Sequence, residues 1–123
     1  MRKSVTALLL SGSLLASAPL LARDLTVEIT NLTNATYFTP LLIAAHNRQT
    51  HLFEVGTEAS ENLQAMAEGG DTSGLIEEIE AVNGVYDPDP AGGLLEPGQT
   101  ATTILDLRGR ATSRLTITAM LLP

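Results

Sequence analysis

The sequence contains no cysteine and no tryptophan. Disulfide staples, thiol nucleophiles and cysteine-ligated zinc are therefore excluded. Aromatics are scarce, with Tyr37, Phe38, Phe53 and Tyr86 making up the whole set. The core has to be built from Leu, Ile, Val and Ala. Basic residues are also few. Seven Lys and Arg face 14 Asp and Glu in the full chain. No apolar run reaches the ~20 residues of a membrane-spanning helix. No Gly-x-Ser-x-Gly nucleophile elbow occurs.

What is present begins at the N-terminus. Arg2 and Lys3 precede an apolar run from Val5 to about Leu15. Small residues follow at Ala16, Ser17, Ala18 and Ala22. Basic, apolar and small regions in that order predict a secretory signal peptide. Ala16-Ser17-Ala18 has the A-x-A form, but Pro19 would follow that cut. Cleavage after Ala22 avoids the proline and starts the mature chain at Arg23. The alternative is an uncleaved N-terminal anchor. Loss of residues 1–22 leaves 5 basic and 14 acidic residues, a net charge of −9. So acidic a chain repels phosphate backbones, which argues against nucleic acid as a partner. The 101 residues from 23 to 123 suffice for one domain.

Residues 25–30 alternate Leu25, Val27 and Ile29 with polar neighbours, which predicts a half-buried strand. Asn31 to Thr36 is a turn cluster holding two Asn-x-Thr glycosylation patterns, at Asn31 and Asn34. Leu41 to His46 is an unbroken apolar run, expected as a buried core strand. His51 to Gly56 reads as a short strand or extended segment. Thr57 or Ser60 can cap a helix over 58–68. Its apolar positions are Ala59, Leu63, Met66 and Ala67, and Gly69-Gly70 stops it. Asp71 is positioned to cap a second helix, with Leu75, Ile76, Ile79 and Val82 on its apolar face and Asn83-Gly84 at its end. Tyr86 to Thr100 is rich in Pro and Gly and predicts a long exposed loop. Two strands follow, one over 101–107 and one over 115–121, joined by a turn at 108–110.

The chemical candidates each have a plainer role. His46 and His51, with Glu54, could approach across a turn and hold zinc, but two hydrogen-bonded turn histidines fit the spacing better. Asp87 and Asp89 could share calcium, yet the order of a calcium-binding loop is missing. Glu77, Glu78 and Glu80 read as the wet face of a helix. Ser11 and Ser13 lie in the leader. No residue is predicted to be catalytic, cofactor-binding or metal-ligating.

Three blocks together carry a family resemblance: "FTPLLIAAHN", "LFEVGTEASENLQAMAEGGD" and "RLTITAMLLP". Over residues 25–123 the chain resembles the spondin N-terminal domain in its bacterial exported form. Ala59-Ser60-Glu61, with Leu63, Met66, Ala67 and Glu68, is the most specific block. The resemblance implies a mainly β protein, a β-sandwich of the calcium- and lipid-binding-domain type, and the two short helices read from the residues fall in one of its connections. It implies an exported, non-enzymatic module for adhesion or recognition of a surface protein or polysaccharide. Vertebrate members hold calcium at one end of the sandwich, with a ligand from a loop after the strand that ends this chain. Here the chain stops at Pro123, where that loop would begin, and Asp106 aligns only loosely with an upstream acidic position. The expectation is therefore no cofactor, and a sandwich lacking its last strand. A truncated or degenerate copy, or a subunit whose exposed edge another chain completes, is the alternative.

Overall fold

The computed structural model describes residues 24–123. The expected signal peptide and its cleavage site lie outside the described residues. Strand β1 (Asp24–Thr30) pairs antiparallel with β5 (Thr100–Asp106). Its expected alternation holds: Val27 is buried, Leu25 and Ile29 are half-buried, and Asp24, Thr26, Glu28 and Thr30 face water. Strand β3 (Leu42–His46) is the middle of a second sheet, between β4 (Val85–Asp87) and β6 (Arg114–Thr118). Two short strands, β2 (Tyr37–Phe38) and β7 (Leu121–Leu122), form a third, small antiparallel pair.

Strand β3 is covered on both faces, as its continuous apolar run predicts. Every residue from Leu41 to His46 is buried. Ile43 and Ala45 meet Val27 of β1 and Leu105 of β5, the core between the two sheets. Leu42 and Ala44 meet Leu52, Met66, Leu75 and Ile79, the core beneath the helices. A third cluster, Leu41, Leu95 and Ala101, closes one end. At roughly 1.5–3 kcal/mol for each fully buried large aliphatic side chain, Leu42 and Ile43 are among the strongest single contributors to stability.

Helices α1 (Glu61–Gly69) and α2 (Ser73–Ala81) connect β3 to β4. Ser60, one of the two expected caps, accepts the Leu63 amide at 3.1 Å. Gly70 ends α1 in the left-handed region, φ 71°, and its amide reaches back to Ala65 and Met66. Asp71 accepts the Ser73 amide at 2.9 Å and the Ser73 hydroxyl at 2.7 Å. These two bonds hold its carboxyl below the usual range. Thr72, the residue at the cap position itself, makes no side-chain cap bond. Asn62 of α1 donates to Glu78 of α2 at 2.7 Å and locks the helices together. Gly84 follows α2 where a Cβ would run into the Ile79 side chain and the Ala45 carbonyl, so only glycine lets α2 sit this close to β3.

Of the two forms expected for residues 51–56, the strand is not formed, although Leu52 is buried as an anchor. Three other segments depart from what the sequence pattern predicts. The Pro- and Gly-rich stretch begins inside a strand: Val85, Tyr86 and Asp87 pair with Ala45, Ala44 and Ile43. Within the same stretch, Leu95 is buried and exchanges backbone bonds with Phe38 at 3.0 and 3.2 Å. Finally, 115–121 is not one strand. It breaks after Thr118, where the Thr39 hydroxyl takes the Met120 amide at 2.9 Å in place of a ladder bond.

Met66 is the buried residue of α1 and Gln64 lies on its wet face. Met66→Ala should cost about 2–5 kcal/mol, a large share of the ~5–15 kcal/mol typical of a whole domain. Gln64→Ala should change the urea midpoint little. Equal shifts of the two midpoints would contradict this packing.

Candidate functional site

The titratable candidates are absorbed by the fold. His46 is buried. Its Nδ1 lies 2.9 Å from the Asn47 carbonyl and its Nε2 2.8 Å from the Thr116 hydroxyl. A carbonyl only accepts, so Nδ1 carries the proton, and in the neutral ring Nε2 accepts from Thr116. Both ring nitrogens are used. His51 is exposed instead, in a shallow depression with Glu54, Glu58 and Glu78. The structure thus brings His51, not His46, to Glu54.

Asp87 and Asp89 share one turn, and Asp106 stands apart from them. Asp87 accepts the Thr103 hydroxyl at 2.5 Å and the Asp89 amide at 3.1 Å. Asp89 accepts the Gly93 amide at 2.8 Å. Asp106 lies three residues beyond Thr103, roughly 10 Å along β5 at ~3.3 Å per residue. It is clasped by Arg108, whose Nε donates at 2.8 and 3.0 Å and whose amide donates at 3.0 Å. That guanidinium holds the Asp106 carboxyl down at about 2. The pair is present above the ordinary carboxylate range and is lost as pH falls through about 2. Both side chains are exposed to water, so its contribution to stability is small. Among the described residues no three His, Asp or Glu converge as a metal-holding group.

The two glycosylation patterns also part company. Asn31 is fully buried. Its amide nitrogen donates to the carbonyls of Thr36 at 2.8 Å and Leu95 at 2.9 Å, while its side-chain oxygen accepts from Thr33. Its backbone pairs with Gln99 and Gly98. Asn31 is a structural pin that ties the end of β1 to the start of β5. Asn34 is exposed.

Charge is strongly polarised. No Lys or Arg occurs between Arg48 and Arg108, a span that holds 12 of the 14 acidic residues. The basic residues gather where β3 ends and the β5–β6 turn passes. Arg114 pairs with His46, and Arg110 reaches the carbonyls of Asn83 and Gly84 beside Asn47.

One apolar feature is left over. Leu115 and Ile117 of β6 stand opposite Ala45 and Ile43 in the ladder, so they share the face that looks toward β1 and β5. That face is covered over β3 and β4. Over β6 it is not: Leu115 is 43 % and Ile117 42 % exposed. On the other face of the same strand the polar Thr118 is buried, with no partner for its hydroxyl. Sequence reasoning saw the alternation of β6 but not its consequence, because alternation tells which side a residue faces and not whether anything lies on that side.

The Spondin_N family model matches residues 30–123. The chain belongs to the Spondin_N family. No curated protein and no solved structure gives a significant match. The Spondin_N match runs from the last residue of β1 through β7, so it takes in both helices and the Asn31 pin.

Calcium takes six to eight oxygen ligands, and its affinity follows the number of carboxylates that converge. Asp87, Asp89 and Asp106 are engaged in internal bonds, and Asp106 lies away from the other two. Isothermal titration of the folded protein should therefore show no calcium binding tighter than roughly millimolar. A stoichiometric micromolar site would contradict this arrangement.

Proposed function

We propose that this Spondin_N chain is an exported, non-enzymatic binding or adhesion module that recognises a protein or polysaccharide outside the cell. The observation that carries the reading is the family match across nearly the whole sandwich. The chemistry of the candidate groups supports it. His46, Asp87 and Asp106 hold strands and turns together through bonds within the fold. Their role is structural, so binding falls to the surface. The acidic surface and a leader of signal-peptide type fit a protein that works in solution beyond the cytoplasm. Among the described residues no helix is long and apolar enough to cross a membrane.

A second reading is favoured by the uncovered Leu115 and Ile117. The chain then serves as a subunit whose sheet another polypeptide extends. The two readings share export and differ in the kind of partner.

Protein recovered from the periplasm or medium should begin at Arg23, by N-terminal sequencing. Labelled with a fluorophore, it should be retained on washed cells or on purified surface polysaccharide, saturably and in competition with unlabelled protein. A cytoplasmic product still beginning at Met1 would contradict export. Retention that rises linearly without saturation would contradict a binding module.

A further inference from the structure

The two sheets of the sandwich meet at one side and gape at the other. On the closed side β4 and β5 approach each other, and the Thr103 hydroxyl of β5 donates to Asp87 of β4. Counting away from that side, β5 lies over β4 and β1 over β3. The next position, over β6, has no strand of the facing sheet among the described residues. Two observations fall at that position. Leu115 and Ile117 lie on the face that looks toward it and remain partly exposed. The outer edge of β1, which borders it, has no neighbour, since β1 pairs only with β5 among the described residues.

That edge has few of the features that keep sheet edges solitary, the charges of Asp24 and Glu28 being the exception. Such edges are normally short, bulged, or interrupted by Lys or Pro. Strand β1 reads Asp-Leu-Thr-Val-Glu-Ile-Thr, seven residues without Lys, Pro or Gly. It runs in unbroken register with β5 from Asp24 to Thr30. Its backbone donors and acceptors on the outer side form a straight template. A strand added there, ~4.8 Å from β1 and ~10 Å above the other sheet, would lie over Leu115 and Ile117.

We propose that the outer edge of β1 and the Leu115–Ile117 strip form one docking site for an extended segment of another protein. The proposal rests on the second reading, in which another polypeptide extends the sheet, and specifies that partner. The segment adds a strand to the β1–β5 sheet by main-chain bonds. Its inward residues are apolar and cover Leu115 and Ile117. Its outward residues are basic or Thr-like, because Asp24 and Glu28 line the solvent face of β1 and cross-strand pairs of opposite charge are favoured. Charge argues against a second copy as occupant. Each copy carries −9 over residues 23–123, and joining two β1 edges would place Asp24 and Glu28 of both in one sheet face.

The probe is a labelled heptapeptide with Val at alternate positions and Lys or Thr between, matching the length of β1. Its control has the same composition in blocks, without alternation. Binding to the exported protein is read by fluorescence anisotropy at physiological salt. The alternating peptide should bind, and the control should bind at least about tenfold more weakly, a difference of ~1.4 kcal/mol. Ile117→Lys should weaken the alternating peptide by about tenfold or more. Ile104→Lys makes the same charge change on the outer face of β5, where Ile104 is 66 % exposed, and should leave binding within about twofold. Ile117→Thr gives the same comparison if the Lys variant does not fold. Amide exchange in β1 should slow when the alternating peptide is bound. Equal binding of the two peptides, equal effects of the two Lys variants, or a wild-type dimer lost in Ile117→Lys would each overturn the proposal. If the peptide fails while the protein is still retained saturably on cells, strand docking falls and the module reading stands.

Discussion

Burial of β3 on both faces is the constraint on which the rest of this structure depends. A strand has two sides, and each side of β3 is given a different partner. Ile43 and Ala45 hold the β1–β5 sheet, while Leu42 and Ala44 hold the helices. The alanines matter as much as the larger residues. Ala44 takes little room on the helix side and Ala45 little on the β1–β5 side, and the α2 end comes close enough that a Cβ on Gly84 would press on the Ala45 carbonyl. A larger residue at Ala44 or Ala45 would push a whole layer outward, because packed interiors do not absorb extra methylenes cheaply.

The polar groups serve the same purpose. A chain without disulfides must fix its loops by hydrogen bonds. Asn31 does so between β1 and β5, His46 between β3 and β6, and Thr39 between β2 and the segment before β7. Each satisfies backbone or hydroxyl groups that burial would otherwise leave unpaired, at a cost of about 1–3 kcal/mol each. By residue type alone they look like site residues, since an amide in a glycosylation pattern and a histidine near carboxylates both suggest chemistry. Their partners show them to be fasteners.

Much of this could be read from the sequence. The period-two pattern of 25–30 and 101–107, the apolar run 41–46, and the Ser60 and Gly70 signals around α1 all correspond to what the structure contains. These are local signals, and local rules decode them. The misses are all tertiary. Strand β4 lies at the start of a Pro- and Gly-rich stretch, and nothing in Val85-Tyr86-Asp87 alone announces that β3 waits beside it. The break between β6 and β7 depends on Thr39, some eighty residues away in sequence. The exposed strip at Leu115 and Ile117 is the clearest case. The residues point to the expected side, and only the arrangement of the facing sheet shows that side to be open.

Strand β3 is thus the shared wall of both cores, and the β1–β6 side is the loose margin. Native-state amide hydrogen exchange measures this residue by residue. Amides of Ile43 to Ala45, bonded between β4 and β6 and covered on both faces, should exchange only through global unfolding. Outward amides of β1 and β6 should exchange through smaller, local openings. If the amides of β3 exchanged as fast as those on the outer edges of β1 or β6, β3 would not be the wall that holds this fold together.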